Sequence, residues 1–147
     1  MGTVQSKQEI IYPESDGKPV ADNTKQFRWI LYIYTGIAVL FKDDPNVFVA
    51  GDLLWYPVEG DNKTRMAPDV MVAFGRPKGD RPSYKQWEED NIPPQVVFEV
   101  LSPSNRLSEM VDRFLFYQRF GVEEYEEAEA RAERLAAKLR ELGIEPE

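Results

Sequence analysis

Asp69 and Glu99 are the residues from which a chemical reading of this sequence starts. Asp69 follows Pro68 at the head of an apolar run, Val70-Met71-Val72-Ala73-Phe74, and Glu99 interrupts a second, Gln95-Val96-Val97-Phe98-Glu99-Val100-Leu101. Each run reads as a buried strand carrying a single carboxylate. Taking an ionised carboxylate out of water without a partner costs several kcal/mol, so an acid inside an apolar strand marks a metal, a cation or a proton that holds it there. Side chains alternate along a strand, which sets Glu99 beside Val97 and Leu101 on one face and Asp69 beside Met71 and Ala73. On neighbouring strands the two carboxylates would converge on one cation, with the main-chain carbonyl of Val100 as a third oxygen ligand. The simpler reading of Asp69 is a strand-entry acid satisfied by local N–H groups, and Asp52 reads either as a third acid of such a site or as a turn residue.

The residue types that are missing narrow the chemistry. The chain has no Cys and no His, which excludes disulfides, thiolate or imidazole metal sites, cysteine nucleophiles and imidazole bases. Acid, base or metal chemistry falls to Asp, Glu, Lys and Tyr, and a metal held by carboxylates would be a hard one, Mg²⁺ or Mn²⁺. The net charge of −8 argues against a nucleic-acid partner. It is unevenly placed, however: residues 123–147 hold nine acids against four bases, a net −5, which leaves −3 on the first 122. The argument against DNA weakens without reversing.

The elements that must position these residues follow from length and pattern. At 147 residues the chain suits one domain. No apolar run approaches the roughly 20 residues that span a bilayer, and the N-terminus has no signal-like segment, so a cytoplasmic location is expected. Residues 1–21, with Pro13 and Pro19, read as a flexible arm. Asp22-Asn23-Thr24 offers cap chemistry to a helix with Phe27, Ile30, Leu31 and Tyr34 on its apolar face; residues 33–41, rich in β-branched and aromatic side chains, read either as a strand or, as the continuing period favours, as the rest of one helix to Phe41. Strands are predicted over 47–50, 52–56, 69–75 and 95–101, with a long loop from Gly75 to Pro94 that carries Arg76, Lys78, Arg81 and Lys85. That loop reads as solvated, with a phosphate track as the alternative. Ser108 is placed to cap a helix from Glu109 to Phe120, with Met110, Phe114 and Tyr117 facing the core and Gly121 ending it. Beyond Tyr125, Ala128, Ala132, Leu135, Leu139 and Leu142 form a short heptad seam, which predicts a charged helix, coiled-coil in pattern, over 123–147.

Three blocks carry a family resemblance: Ala67-Pro68-Asp69-Val70-Met71-Val72, Val97-Phe98-Glu99-Val100-Leu101-Ser102-Pro103-Ser104, and Phe116 through Tyr125. Together with Gly51-Asp52-Leu53-Leu54-Trp55-Tyr56-Pro57 they resemble the Uma-two family, within the PD-(D/E)xK nuclease superfamily. The resemblance covers residues 22–125. It implies an α/β, restriction-endonuclease-like mixed sheet flanked by helices over 22–122, DNA as substrate, Mg²⁺ (or Mn²⁺) dependence, and Asp69 and Glu99 as metal ligands. The usual nuclease places a Lys two residues after the Glu, where this chain has Leu101; the family's replacement cation from the following helix corresponds to Arg113. Arg113 is thus expected to contact the scissile phosphate, with an ion pair to Glu109, four residues earlier, as the alternative. Family members continue past the 121–125 block into a further strand and more elements, whereas this chain runs into its Glu-rich tail. The fold is therefore expected to be incomplete, with an open sheet edge or the seam supporting a homodimer. A Mg²⁺-dependent DNA endonuclease is the function this implies. The rival is a catalytically silent relative acting as an interaction module through its helix.

Overall fold

The computed structural model describes residues 10–18, 24–102 and 106–127. Helix α1 spans Thr24–Leu40 and is followed by strands β1 (Val47–Gly51), β2 (Trp55–Tyr56), β3 (Val70–Phe74), β4 (Tyr84–Lys85) and β5 (Val96–Glu99), helix α2 (Leu107–Arg119) and strand β6 (Glu124–Glu127). Four strands make the main sheet in the order β1-β3-β5-β6. The first three are antiparallel neighbours, and β6 adds in parallel to β5 through the α2 crossover. Strands β2 and β4 form a separate parallel pair. The mixed α/β architecture expected from the sequence is present. Among the described residues no helix is long and apolar enough to cross a membrane.

Alternation along the strands divides the core between the two faces. Val47, Val70, Val72 and Val100 pack against Ile30, Ile33 and Ile37 of α1. On the other face Phe48, Ala50, Met71, Ala73 and Val97 pack with Trp55, Tyr84 and Tyr117, bringing in α2 and the small sheet. Each buried aliphatic side chain contributes about 1.5–3 kcal/mol, so these clusters hold the strands flat against both layers. The core stripe of α1 is turned from the expected one: Phe27 and Leu31 are exposed, while Ile33 and Ile37 are buried. The valine-rich sheet face selects the β-branched side chains.

The second helix departs from expectation in the same way. It begins at Leu107 after Arg106, so Ser108 lies inside it and does not cap it. Tyr117 is its buried residue, whereas Phe114 is half exposed and reaches Tyr125 of β6 with rings 5.8 Å apart. Gly121, at φ +92°, ends the helix as expected; with that left-handed turn the Val122 N–H reaches back to the Tyr117 carbonyl at 3.0 Å.

Three further expectations change. Part of the N-terminal arm is tied down: the Tyr56 hydroxyl donates to the Pro13 carbonyl, and Tyr12 packs between Tyr56 and Trp87. The long loop contains β4 and a 3-10 turn at Gln86–Glu88. Its arginines are structural, since Arg76 pairs with Glu89 and Asp90, and Arg81 pairs with Glu89 while lying over the Phe48 ring. Finally, Glu124–Glu127, placed in the C-terminal helix by the sequence reading, form β6. Glutamates with low strand propensity take this form because α2 delivers them beside β5, whose open edge they pair. The heptad seam from Ala128 onward lies outside the described residues.

Candidate active site

The two acids meet because of strand register. β3 and β5 pair with Val70 opposite Phe98 and Met71 opposite Val97. One step further along brings Asp69 level with Glu99, both on the face that carries Met71, Val97 and α2. The backbone around Asp69 is fixed from two sides: its carbonyl accepts the Asp52 N–H at 3.1 Å, and its Oδ2 accepts the Val100 N–H at 2.7 Å. The N–H that satisfies Asp69 is therefore not a local one but that of Val100, 31 residues on along the chain, beside the neighbouring strand.

Glu99 is almost fully buried and is held by α2. Arg113 Nη2 donates to its Oε1 and Oε2 at 3.1 and 3.2 Å and to the Ala67 carbonyl at 3.0 Å. The Tyr117 hydroxyl, one turn further along the helix, also donates to Glu99 Oε1. The partner of Arg113 is thus Glu99 and not Glu109. A buried carboxylate demands a cation far more strongly than an exposed helix neighbour does.

The electrostatics follow from this crowding. Burial, reinforced by the adjacent Glu99 charge, pushes the Asp69 carboxyl up to about 9; the Val100 N–H opposes this, and a hydrogen bond to Glu99 adds to it. That upward shift favours the protonated form of Asp69, whose carboxyl is hydrogen-bonded to Glu99. Burial alone would lower Arg113, but Glu99, Tyr117 and Asp69 more than reverse it, so the guanidinium stays charged. Burial and then Glu99 raise Tyr117 well above the ordinary phenol range, keeping it a neutral donor. Asp52, at φ +49°, is raised by burial and by Asp16.

The cluster forms the floor of a cleft of about 590 Å³. Asp52, Leu101 and Asp112 lie in its wall, and Lys18, Lys63 and Arg65 bring positive charge to it. Asp69, Glu99 and Arg113 are therefore brought together as the sequence suggested. The loop residues Arg76, Lys78, Arg81 and Lys85 are not among the lining residues. Asp52 is the left-handed turn residue considered for it, and it also lines the cleft.

Two site residues were missed. Gln26 donates from Nε2 to the Val100 carbonyl at 2.6 Å. Its signal was a polar residue on the Ile30, Ile33, Ile37 stripe. Tyr117 lies four residues after Arg113, on the same helix face, and a hydroxyl there was the available clue.

Asp69, Glu99 and the Val100 carbonyl offer oxygens, the set that suits a hard divalent ion. The adjacent carboxyl groups of Asp69 and Glu99 fit such an ion where it replaces the Asp69 proton. The Val100 carbonyl, the expected third ligand, is engaged by Gln26 and has only its second lone pair to give. Among the described residues there is no cluster of three or more acids of metal-binding geometry.

Comparisons with known proteins agree with this architecture. The Uma2 family model, described as "Putative restriction endonuclease", matches residues 8–139. A crystal structure described as "a putative nuclease belonging to DUF820 from Anabaena variabilis ATCC 29413" is similar at 18% identity, with a TM-score of 0.52. The likeness covers 71% of this chain and 56% of that one, so the chain spans little more than half of that protein's length. At that identity the likeness is one of fold. No curated protein matches.

Proposed function

This chain belongs to the Uma2 family of restriction-endonuclease-like proteins, and on that premise we propose that it is a Mg²⁺-dependent endonuclease that hydrolyses phosphodiester bonds in DNA. The observation that carries the proposal is the level placement of Asp69 and Glu99 on one sheet face, at the floor of an open cleft, with Arg113 against them. Asp69 and Glu99 would hold the cation, with Val100 contributing its carbonyl. A hard divalent ion bound there supplies Lewis-acid polarisation of a phosphoryl oxygen.

The protein's own residues do the rest. The Val100 N–H fixes the Asp69 carboxyl, and Tyr117 orients Glu99 from a buried position as a positioning residue. Arg113, permanently charged, contacts the scissile phosphate and stabilises negative charge that builds on it, but cannot act as a neutral base. Lys18, Lys63 and Arg65 would meet phosphates along the cleft wall. Proton removal from the attacking water falls to a carboxylate, since the chain has no histidine and Leu101 stands where related nucleases use a Lys.

The test is cleavage of supercoiled DNA by purified protein in Mg²⁺ or Mn²⁺ against EDTA. Metal-dependent nicking is expected from the native protein, and its loss from Asp69→Asn and Glu99→Gln. Nicking retained in either variant would remove that residue from the site. A second reading, a catalytically silent relative acting as an interaction module, is favoured by one observation: both Glu99 oxygens are already engaged by side chains of α2. Absence of metal-dependent cleavage by a folded native protein would support it.

A further inference from the structure

The contact between Arg113 and Glu99 sits where the proposed cation would bind. The two positive charges compete for one buried carboxylate. Among the described residues, Arg113 Nη2 makes all three bonds of the guanidinium, to both Glu99 oxygens and to the Ala67 carbonyl. A guanidinium has five N–H donors, and among the described residues Nε and Nη1 have no hydrogen-bond partner. The Glu99 side chain is 4% exposed and the Arg113 side chain 31%. Arg113 thus faces Glu99 on one side and the cleft on the other, with donors to spare.

We propose that Arg113 is a latch: it neutralises Glu99 while no divalent cation is bound, and an arriving cation displaces it into the cleft, where its guanidinium takes a phosphate of the substrate. The inference rests on the metal-site reading above and adds its regulation. A divalent ion and a guanidinium on the same carboxylate repel each other, and a single flexible side chain is the part free to move. Tyr117, locked by the helix end at Gly121, stays behind and keeps Glu99 in place. Metal loading and the readiness to bind phosphate then become one event. An empty site holds its Arg folded back, so the cleft gains a phosphate ligand only once the ion is in position.

The test needs no cleavage assay. Mn²⁺ binding is measured by calorimetry on the native protein, Arg113→Met and Arg113→Met with Glu99→Gln, with folding checked by circular dichroism. Removing the competing charge is expected to tighten Mn²⁺ binding about tenfold or more, and Glu99→Gln to erase that gain. In parallel, modification of Arg113 in the native protein by phenylglyoxal, read by peptide mass spectrometry, is expected to speed up when Mn²⁺ is added. This second measurement stands even if Arg113→Met does not fold. Equal Mn²⁺ affinity of native and Arg113→Met proteins, or Mn²⁺ binding that leaves Arg113 modification unchanged, overturns the latch while leaving the metal site intact. No Mn²⁺ binding by either protein removes the metal site itself, and the latch with it.

Discussion

The raised Asp69 carboxyl makes stability depend on pH across the neutral range. An aspartate of the unfolded chain titrates near 3.8, whereas the folded site holds its proton up to about 9. Between those values the folded state carries one more proton than the unfolded state, so stability is greatest below the lower value and falls as pH rises toward the upper one. One proton corresponds to a slope of about 1.4 kcal/mol per pH unit. Between pH 6 and 8 the loss is about 3 kcal/mol, a substantial share of the roughly 5–15 kcal/mol of a typical domain. The assay is urea denaturation at pH 6, 7 and 8. The chain has no histidine and no cysteine to titrate in that range, which leaves the α-amino group as the other ordinary titrating group there. Asp69→Asn mimics the protonated acid: its carbonyl oxygen can accept the Val100 N–H and its amide can donate to Glu99. The variant is expected to match the native protein at pH 6, exceed it at pH 8, and show little slope. If the native protein has a flat profile from pH 6 to 8, or if Asp69→Asn keeps the native slope, Asp69 does not hold the proton.

Two other perturbations test the supports of the site. Tyr117→Phe removes a donor from a buried carboxylate and is expected to cost about 1.5–3 kcal/mol in urea denaturation, the usual range for a hydrogen bond to a charged group; a loss under half a kcal/mol would mean that Tyr117 only fills space. Glu89→Ala leaves Arg76 and Arg81 without their shared carboxylate and is expected to cost about 3–5 kcal/mol. The 75–94 segment of that variant should become the first point of proteolytic cleavage, and unchanged protease resistance would count against the clamp.

The strands and the acids on them were legible because the signal is local. Alternation within Val70–Phe74 and Val96–Glu99 fixes which side chains share a face, and two acids in apolar runs stand out against that pattern. Pairing chooses among structures that local pattern leaves open, and there the sequence reading slipped. Arg113 has Glu109 one turn away, and only burial of Glu99 explains why it looks across to the sheet. Residues Glu124–Glu127 have little strand propensity and became a strand because β5 offers an open edge. The arginines of the long loop read as solvated until Glu89, nearly buried beneath them, gave them a partner. Membership of Phe27 or Ile33 in the core depends on a rotation of α1 that its own period allows in either sense, and the valines of the sheet decide it.

The pairing of β3 with β5 also determines which changes of chain length the protein can survive. A strand repeats every two residues, so one residue inserted within Val96–Glu99 would turn Glu99 onto the α1 side, among Ile33, Val70 and Val72, with neither Arg113 nor Tyr117 in reach. Two inserted residues would restore the face but carry the carboxylate about 7 Å along the sheet from Asp69. Substitutions in these strands can be graded by volume and polarity, but insertions and deletions there are all-or-none. Length variation compatible with the acid pair is confined to the turns outside the two strands.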